Sequence, residues 1–170
     1  MKSTMISIDE KRLKKIGRFL RRLPDCRPTD WTFPGLPEIG DPRTIDYFFT
    51  AVKHQYGFWY DDGKKYIGPM YAEVSGRRLK GSDFIWHSLL RALEKNSSIL
   101  LPEKQAEMSD EEIGAVFSDD AGNCPLPVPK SHFRIWREYA RDLPAAELTP
   151  AKIVEESRIA DNPVRRFMNL

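Results

Sequence analysis

The stretch Tyr56-Gly57-Phe58-Trp59-Tyr60-Asp61-Asp62-Gly63 decides the fold, because a helical pattern stops there and an extended one begins. Upstream, Ile45, Phe48, Phe49 and Val52 recur at the helical period and are expected to bury one face. That helix opens at Asp41-Pro42, where aspartate accepts free amides and proline in the first turn has no hydrogen bond to lose. Downstream, residues 64–80 contain Tyr66-Ile67, Met70-Tyr71-Ala72-Glu73-Val74, Ser75-Gly76 and Arg77-Arg78-Leu79, which read as two short strands around a tight turn. Successive side chains of an extended segment point to opposite sides, so three consecutive large rings cannot all face one core. At least one ring lines a surface, a groove or a pocket. Such a ring suits a flat ligand such as a nucleobase; the plainer reading of the same residues is a hydrophobic elbow that pins helix to hairpin.

Working outward, residues 9–23 place Leu13, Ile16, Phe19, Leu20 and Leu23 on one stripe ringed by Lys11, Arg12, Lys14, Lys15, Arg18, Arg21 and Arg22. This is an amphipathic helix stopped by Pro24. Its seven cations read either as a phosphate or membrane patch or, more plainly, as a solvated face whose last turn the helix dipole favours. Residues 24–40 hold Pro24, Pro28, Pro34, Pro37, Gly35 and Gly40, a long loop anchored by Trp31 and Phe33. On the far side of the hairpin, Ser82-Asp83 is read as the cap of a helix with Ile85, Leu89, Leu90 and Leu93 facing inward. Ser109-Asp110-Glu111-Glu112 is a capping box with Met108 placed for the staple, ahead of Ile113, Val116 and Phe117. A Pro-rich connector, residues 119–129, leads to a helix over 130–143 with Phe133, Trp136, Ala140 and Leu143 as its stripe. Thr149-Pro150 and Asn162-Pro163 repeat the cap-then-proline device. The last of these helices is short, and a free helix that short is marginal in water. It either docks through Val164, Phe167 and Leu170 or belongs to a longer chain. The expected fold is mainly α with one small β-hairpin, an α+β class, in a single domain over 1–170.

An apolar share of 41% with four Trp and nine Phe argues for a packed core, and 170 residues suffice for one. With 27 basic against 25 acidic residues, the balance gives no overall support for a nucleic-acid polymer as direct partner. Cys26 and Cys124 lie far apart without a Cys-x-x-Cys pair, which excludes a zinc ribbon or knuckle and fits a reducing compartment, so the expected localisation is cytoplasmic. The first residues lack the apolar run of a signal peptide, and no later segment approaches a membrane span, so no membrane partner is expected.

Of the chemistry-bearing residues, His54, His87 and His132 share no metal-ligand spacing, and neither metal nor cofactor is expected. His54 could polarise a ligand beside the aromatic run; the plainer reading ends a helix in solvent or in a satisfied hydrogen bond. Asp61-Asp62 before Gly63, and Asp119-Asp120 before Ala121-Gly122-Asn123, are turn formers before they are catalysts.

Taken in order, the segments resemble the N-terminal half of the queuosine salvage family, queuosine 5′-phosphate N-glycosylases related in fold to helical DNA glycosylases. Gln55-Tyr56-Gly57-Phe58-Trp59 resembles the family's Asn-Phe-x-Phe-Trp motif at a helix end. Lys80-Gly81 and Arg91-Ala92-Leu93 resemble its Gly-led helix, and Met108-Ser109-Asp110-Glu111-Glu112 with Phe117-Ser118-Asp119 its acidic capping segment. Val154-Glu155-Glu156-Ser157 and Phe167-Met168-Asn169-Leu170 are similar to a later region. The likeness runs colinearly over residues 41–170. Gln55 stands where the family has Asn, and Ser82-Asp83 replace its usual Tyr-aromatic pair. The family's Lys-Arg segment and its Ala-Asp-Tyr-Arg-x-Pro-Gln motif with the catalytic aspartate would fall just beyond Leu170, so a truncated product or a half that needs a second chain is expected.

The resemblance implies hydrolysis of the bond between a 7-deazaguanine-type base and ribose 5-phosphate, releasing queuine for tRNA modification. Breaking that bond creates an oxocarbenium-like sugar and calls for a carboxylate near the anomeric carbon, donors for the departing base and a flat wall to hold it. Tyr56, Phe58 and Trp59 are the candidate wall, with Lys80 or Arg77 for the phosphate; the catalytic residues remain unassigned. The alternative is a non-catalytic helical module, either binding nucleic acid through residues 11–22 and the rings or self-associating through the C-terminal helix.

Overall fold

The computed structural model describes residues 9–22, 35–38, 40–160 and 162. Trp31, Phe33, Cys26 and the helix expected after Asn162-Pro163 lie outside them. The chain divides into two compact units, residues 1–33 and 34–170. In the first, α1 (Glu10–Leu20) starts where the Asp9 carboxylate accepts the Arg12 amide at 3.0 Å.

The second unit is mainly helical with two small antiparallel strand pairs, an α+β arrangement. Helix α2 (Pro42–Val52) is capped as its sequence requires, the Asp41 carboxylate accepting the Arg43 amide at 2.8 Å. The same guanidinium reaches Asp41 and holds its carboxyl down to about 2. Strands β1 (Trp59–Asp61) and β2 (Tyr66–Pro69) form the first pair, with Trp59 opposite Pro69 and an irregularity between Tyr60 and Asp61. Strands β3 (Tyr71–Val74) and β4 (Arg77–Lys80) form the second, pairing Tyr71 with Lys80 and Val74 with Arg77. The expected single hairpin is thus two: the aromatic run itself supplies β1, and Asp61 and Asp62 supply its turn. The Asp61 carboxylate accepts the Gly63 amide at 2.8 Å, and Asp62 accepts those of Lys64 and Lys65 at 2.9 and 2.8 Å.

Helix α3 (Ser82–Lys95) is the centre of the unit and packs against α2, β3, β4, a 3₁₀ turn at Ser97–Leu100 and α5. Its inward residues Ile85, Leu89, Leu90 and Leu93 are buried as their spacing predicts, together with Phe84 and Trp86. Helices α4 (Pro102–Glu107), α5 (Asp110–Val116), α6 (Pro129–Ala145) and α7 (Pro150–Arg158) complete it. At α5 the capping box is formed in both directions: Ser109 Oγ accepts the Glu112 amide at 3.2 Å, and Glu112 Oε2 accepts the Ser109 amide at 2.8 Å. Thr149 caps α7 through the Lys152 amide at 3.0 Å. No helix among the described residues is long and apolar enough to cross a membrane.

Two expectations need correction. The buried face of α2 is Tyr47, Thr50 and Ala51, not Ile45, Phe48, Phe49 and Val52. Tyr47 goes inside because its hydroxyl finds the Trp86 carbonyl at 2.7 Å, while burial pushes its ionisation up. The expected stripe instead lines an open apolar groove of about 390 Å³ with Tyr139 and Val154. At α3, Ser82 is the first helical residue and not a cap; the N-cap is Gly81, with no side-chain bond to the first turn.

Candidate nucleotide-binding groove

Met70, buried between the two strand pairs, builds the site through its backbone. Its amide donates to the Phe58 carbonyl at 2.8 Å, and its carbonyl accepts the Gly81 amide at 3.3 Å. Residues 58 and 81, far apart in sequence, are thereby brought face to face. Gly81 has φ +45°, a region that residues with a side chain rarely adopt, and a Cβ there would sit 3.2 Å from two carbons of the Phe58 ring. Only glycine lets the ring lie against the start of α3.

The result is a groove of about 320 Å³ lined by Phe58, Trp59, Pro69, Lys80, Gly81, Ser82 and Asp83. Phe58 is half-buried, whereas Trp59 is 56% exposed. Lys80 ends β4 with its ammonium 6.0 Å from the Tyr71 ring centroid, and Arg78 lies 4.5 Å from the same ring. Because no side chain caps α3, its first amides and the positive end of its dipole are available to an acceptor at the groove. Aromatic wall, Lys80 and helix start therefore share one concavity.

Of the four residues singled out in the sequence, the structure brings together Phe58, Trp59 and Lys80. Tyr56 goes elsewhere: its ring stacks on His132, centroids 4.3 Å apart at 14°, and its hydroxyl bonds Ser131 Oγ at 3.0 Å. Gly57 makes the parting, with φ +70° and a Cβ that would fall 2.8 Å from Val128 Cγ2. Tyr60 takes a third direction and donates to the Pro125 carbonyl at 2.6 Å. Arg77 is exposed and does not line the groove. Sequence reasoning missed Pro69 and Asp83 as lining residues; the run of strand, glycine and uncapped helix at Lys80-Gly81-Ser82-Asp83 was the available signal.

No protein-family model matches the chain, and a search of curated proteins finds no significant relative.

A second polar cluster sits in the core. His54 and His132, 78 residues apart, place their Nδ1 atoms 3.1 Å apart, so one donates and the other accepts. Both are fully buried, which corrects the solvent alternative expected for His54 and agrees with the hydrogen-bonded one; among the described residues neither Nε2, nor Trp136 Nε1, has a hydrogen-bond partner. Burial holds His132 down to about 4, and pushes His54 well below the usual histidine range, with help from the charge of Lys53 and from His132. Lys53, 5.4 Å from the Trp136 ring centroid and 3.4 Å from Gln105 Oε1, is lowered by burial to about 7.

Among the described residues no group of three or more His, Cys, Asp and Glu side chains converges in a way that could hold a metal ion. Asp119 is a turn former, accepting the amides of Ala121 at 3.0 Å and Asn123 at 2.8 Å. Asp120, expected to be another, instead reaches back to the turn of the second strand pair. It accepts the Ser75 and Gly76 amides at 2.9 and 2.8 Å and pairs with Arg91 at 3.2 Å. Those bonds hold its carboxyl below the usual range.

Proposed function

We propose that this chain binds queuosine 5′-phosphate in the groove at the start of α3 and acts as an N-glycosidase of the queuosine salvage type, releasing queuine. The observation that carries the reading is the convergence of Phe58, Trp59 and Lys80 on one concavity at an uncapped helix start. The exposed Trp59 face takes the planar base, a contact worth about 1–3 kcal/mol per base on aromatic platforms. Phosphate is met by the Lys80 ammonium and the first amides of α3. Asp83 is the carboxylate that lines the groove, and it is the group of this chain offered to the sugar. There a negative charge favours the oxocarbenium-like transition state.

Incubation with queuosine 5′-phosphate, with free queuine followed by mass spectrometry and binding by calorimetry, tests this. Release is expected, with affinity reduced roughly five- to 150-fold in Trp59→Ala, the range that stacking energies span. Binding without release would confine the proposal to recognition; neither binding nor release would remove it.

A further inference from the structure

Helix α1 carries no buried residue: Leu13, Ile16, Phe19 and Leu20 are 62, 56, 62 and 56% exposed. At 3.6 residues per turn these four fall within an arc of about 120°. Lys11, Lys14, Lys15, Arg18, Arg21 and Arg22 fill the remainder, and Arg12 falls just inside the apolar arc, between Phe19 and Ile16. The charge is concentrated as well. Residues 9–22 hold seven cations and two carboxylates, a net +5, while the whole chain is +2, so everything outside this segment sums to −3. Both carboxylates sit at the N-terminal end, where Asp9 and Glu10 make exposed pairs with Arg12 and Lys14, each at 3.9 Å. Among the described residues, no carboxylate lies within ion-pair distance of Lys11, Lys15, Arg18, Arg21 or Arg22.

We infer that α1 is a membrane-surface helix that lies in the headgroup region of an anionic lipid bilayer, its Leu13, Ile16, Phe19 and Leu20 face among the acyl chains. The charge pattern selects this occupant. A second copy would bring seven cations against seven. A nucleic acid would neutralise the cations but leave the four apolar side chains in water. An anionic bilayer satisfies both faces: lysine and arginine at the flanks extend their stems over the apolar edge and leave their charges among the phosphates. A surface helix of this kind is shorter than a span and needs no long apolar run, which is how the chain accommodates lipid while no described helix can cross a membrane.

The test is co-sedimentation of the full chain with vesicles of 70:30 phosphatidylcholine and phosphatidylglycerol, against vesicles of phosphatidylcholine alone. Binding is expected to be at least roughly tenfold stronger to the anionic vesicles, since every basic residue near such a surface adds attraction, and to weaken in high salt. Ile16→Glu/Leu20→Glu and, separately, Lys15→Gln/Arg18→Gln/Arg22→Gln should each lose it while circular dichroism stays unchanged. In Phe19→Trp, brominated lipids should quench fluorescence beyond the wild-type level. The inference is overturned if the wild type stays in the supernatant, or if Ile16→Glu/Leu20→Glu binds as well as wild type. It is equally overturned if Phe19→Trp shows no added quenching, or if single-stranded RNA binds that apolar-face variant undiminished while vesicles fail to compete.

Discussion

Moderate acid should loosen this fold through one buried pair, His54 and His132. Both rings are fully buried, and with Nδ1 atoms 3.1 Å apart they share a single proton between them. A further proton would place a cation in an apolar pocket beside Phe117 and Trp136, so burial holds His132 down to about 4. The unfolded value is near 6.5. Between these limits the unfolded chain binds the proton and the folded one resists it, so stability is complete above pH 6.5 and falls as pH drops towards 4. For His132 alone, the change from pH 7 to 4.5 is about 2.5 kcal/mol, and His54 is displaced in the same direction. Lys53 does not blur this window, because its own value of about 7 leaves it charged in both states below pH 6. Urea unfolding at pH 7 and pH 4.5 measures the effect, with His54→Phe/His132→Phe as the reference lacking the pair. If wild type and reference lose stability equally to within about 1 kcal/mol, the buried pair is not what senses acid.

Lys53 acts with the same sign in the alkaline range: the unfolded amine holds its proton to about 10.5 and the folded one to about 7, so stability should rise with pH between those values, and Lys53→Met should flatten that rise in the same urea assay. Gly81→Ala forces a side chain into a positive-φ position and against Phe58; about 2–4 kcal/mol should be lost by urea denaturation, with weaker binding at the proposed nucleotide groove, and a loss below about 1 kcal/mol would show that the contact is not tight. Ser109→Ala removes one half of the α5 capping box and should cost about 1 kcal/mol by thermal or urea unfolding, while Ser109→Asp should retain most of the stability.

Local chemistry was legible where neighbours in sequence complete it. Asp41-Pro42, Ser109 with Glu112, Thr149-Pro150 and the Asp61-Asp62-Gly63 turn are set by side chains that reach amides two or three residues away, so no distant partner can change them. The inward face of α3 followed from its period because that helix is surrounded on several sides. The face of α2 did not. Apolar residues lie on more than one of its sides, and the choice between them was made by the Trp86 carbonyl that accepts the Tyr47 hydroxyl from 39 residues away.

The amino-acid order by itself fixed that the aromatic run could not be wholly interior, and that it stood between helix and extended chain. Only the tertiary structure sent its rings to separate places: Tyr56 to His132, Phe58 to Gly81, Tyr60 to the Pro125 carbonyl, with Trp59 left facing solvent. Likewise His54 and His132 carry no spacing that announces their meeting, and Asp120 gives no local sign that it caps a turn 44 residues behind it. Periodicity and capping report forces that act within one helical turn or hairpin, whereas a groove or a buried pair is made by segments that become neighbours only when the core closes.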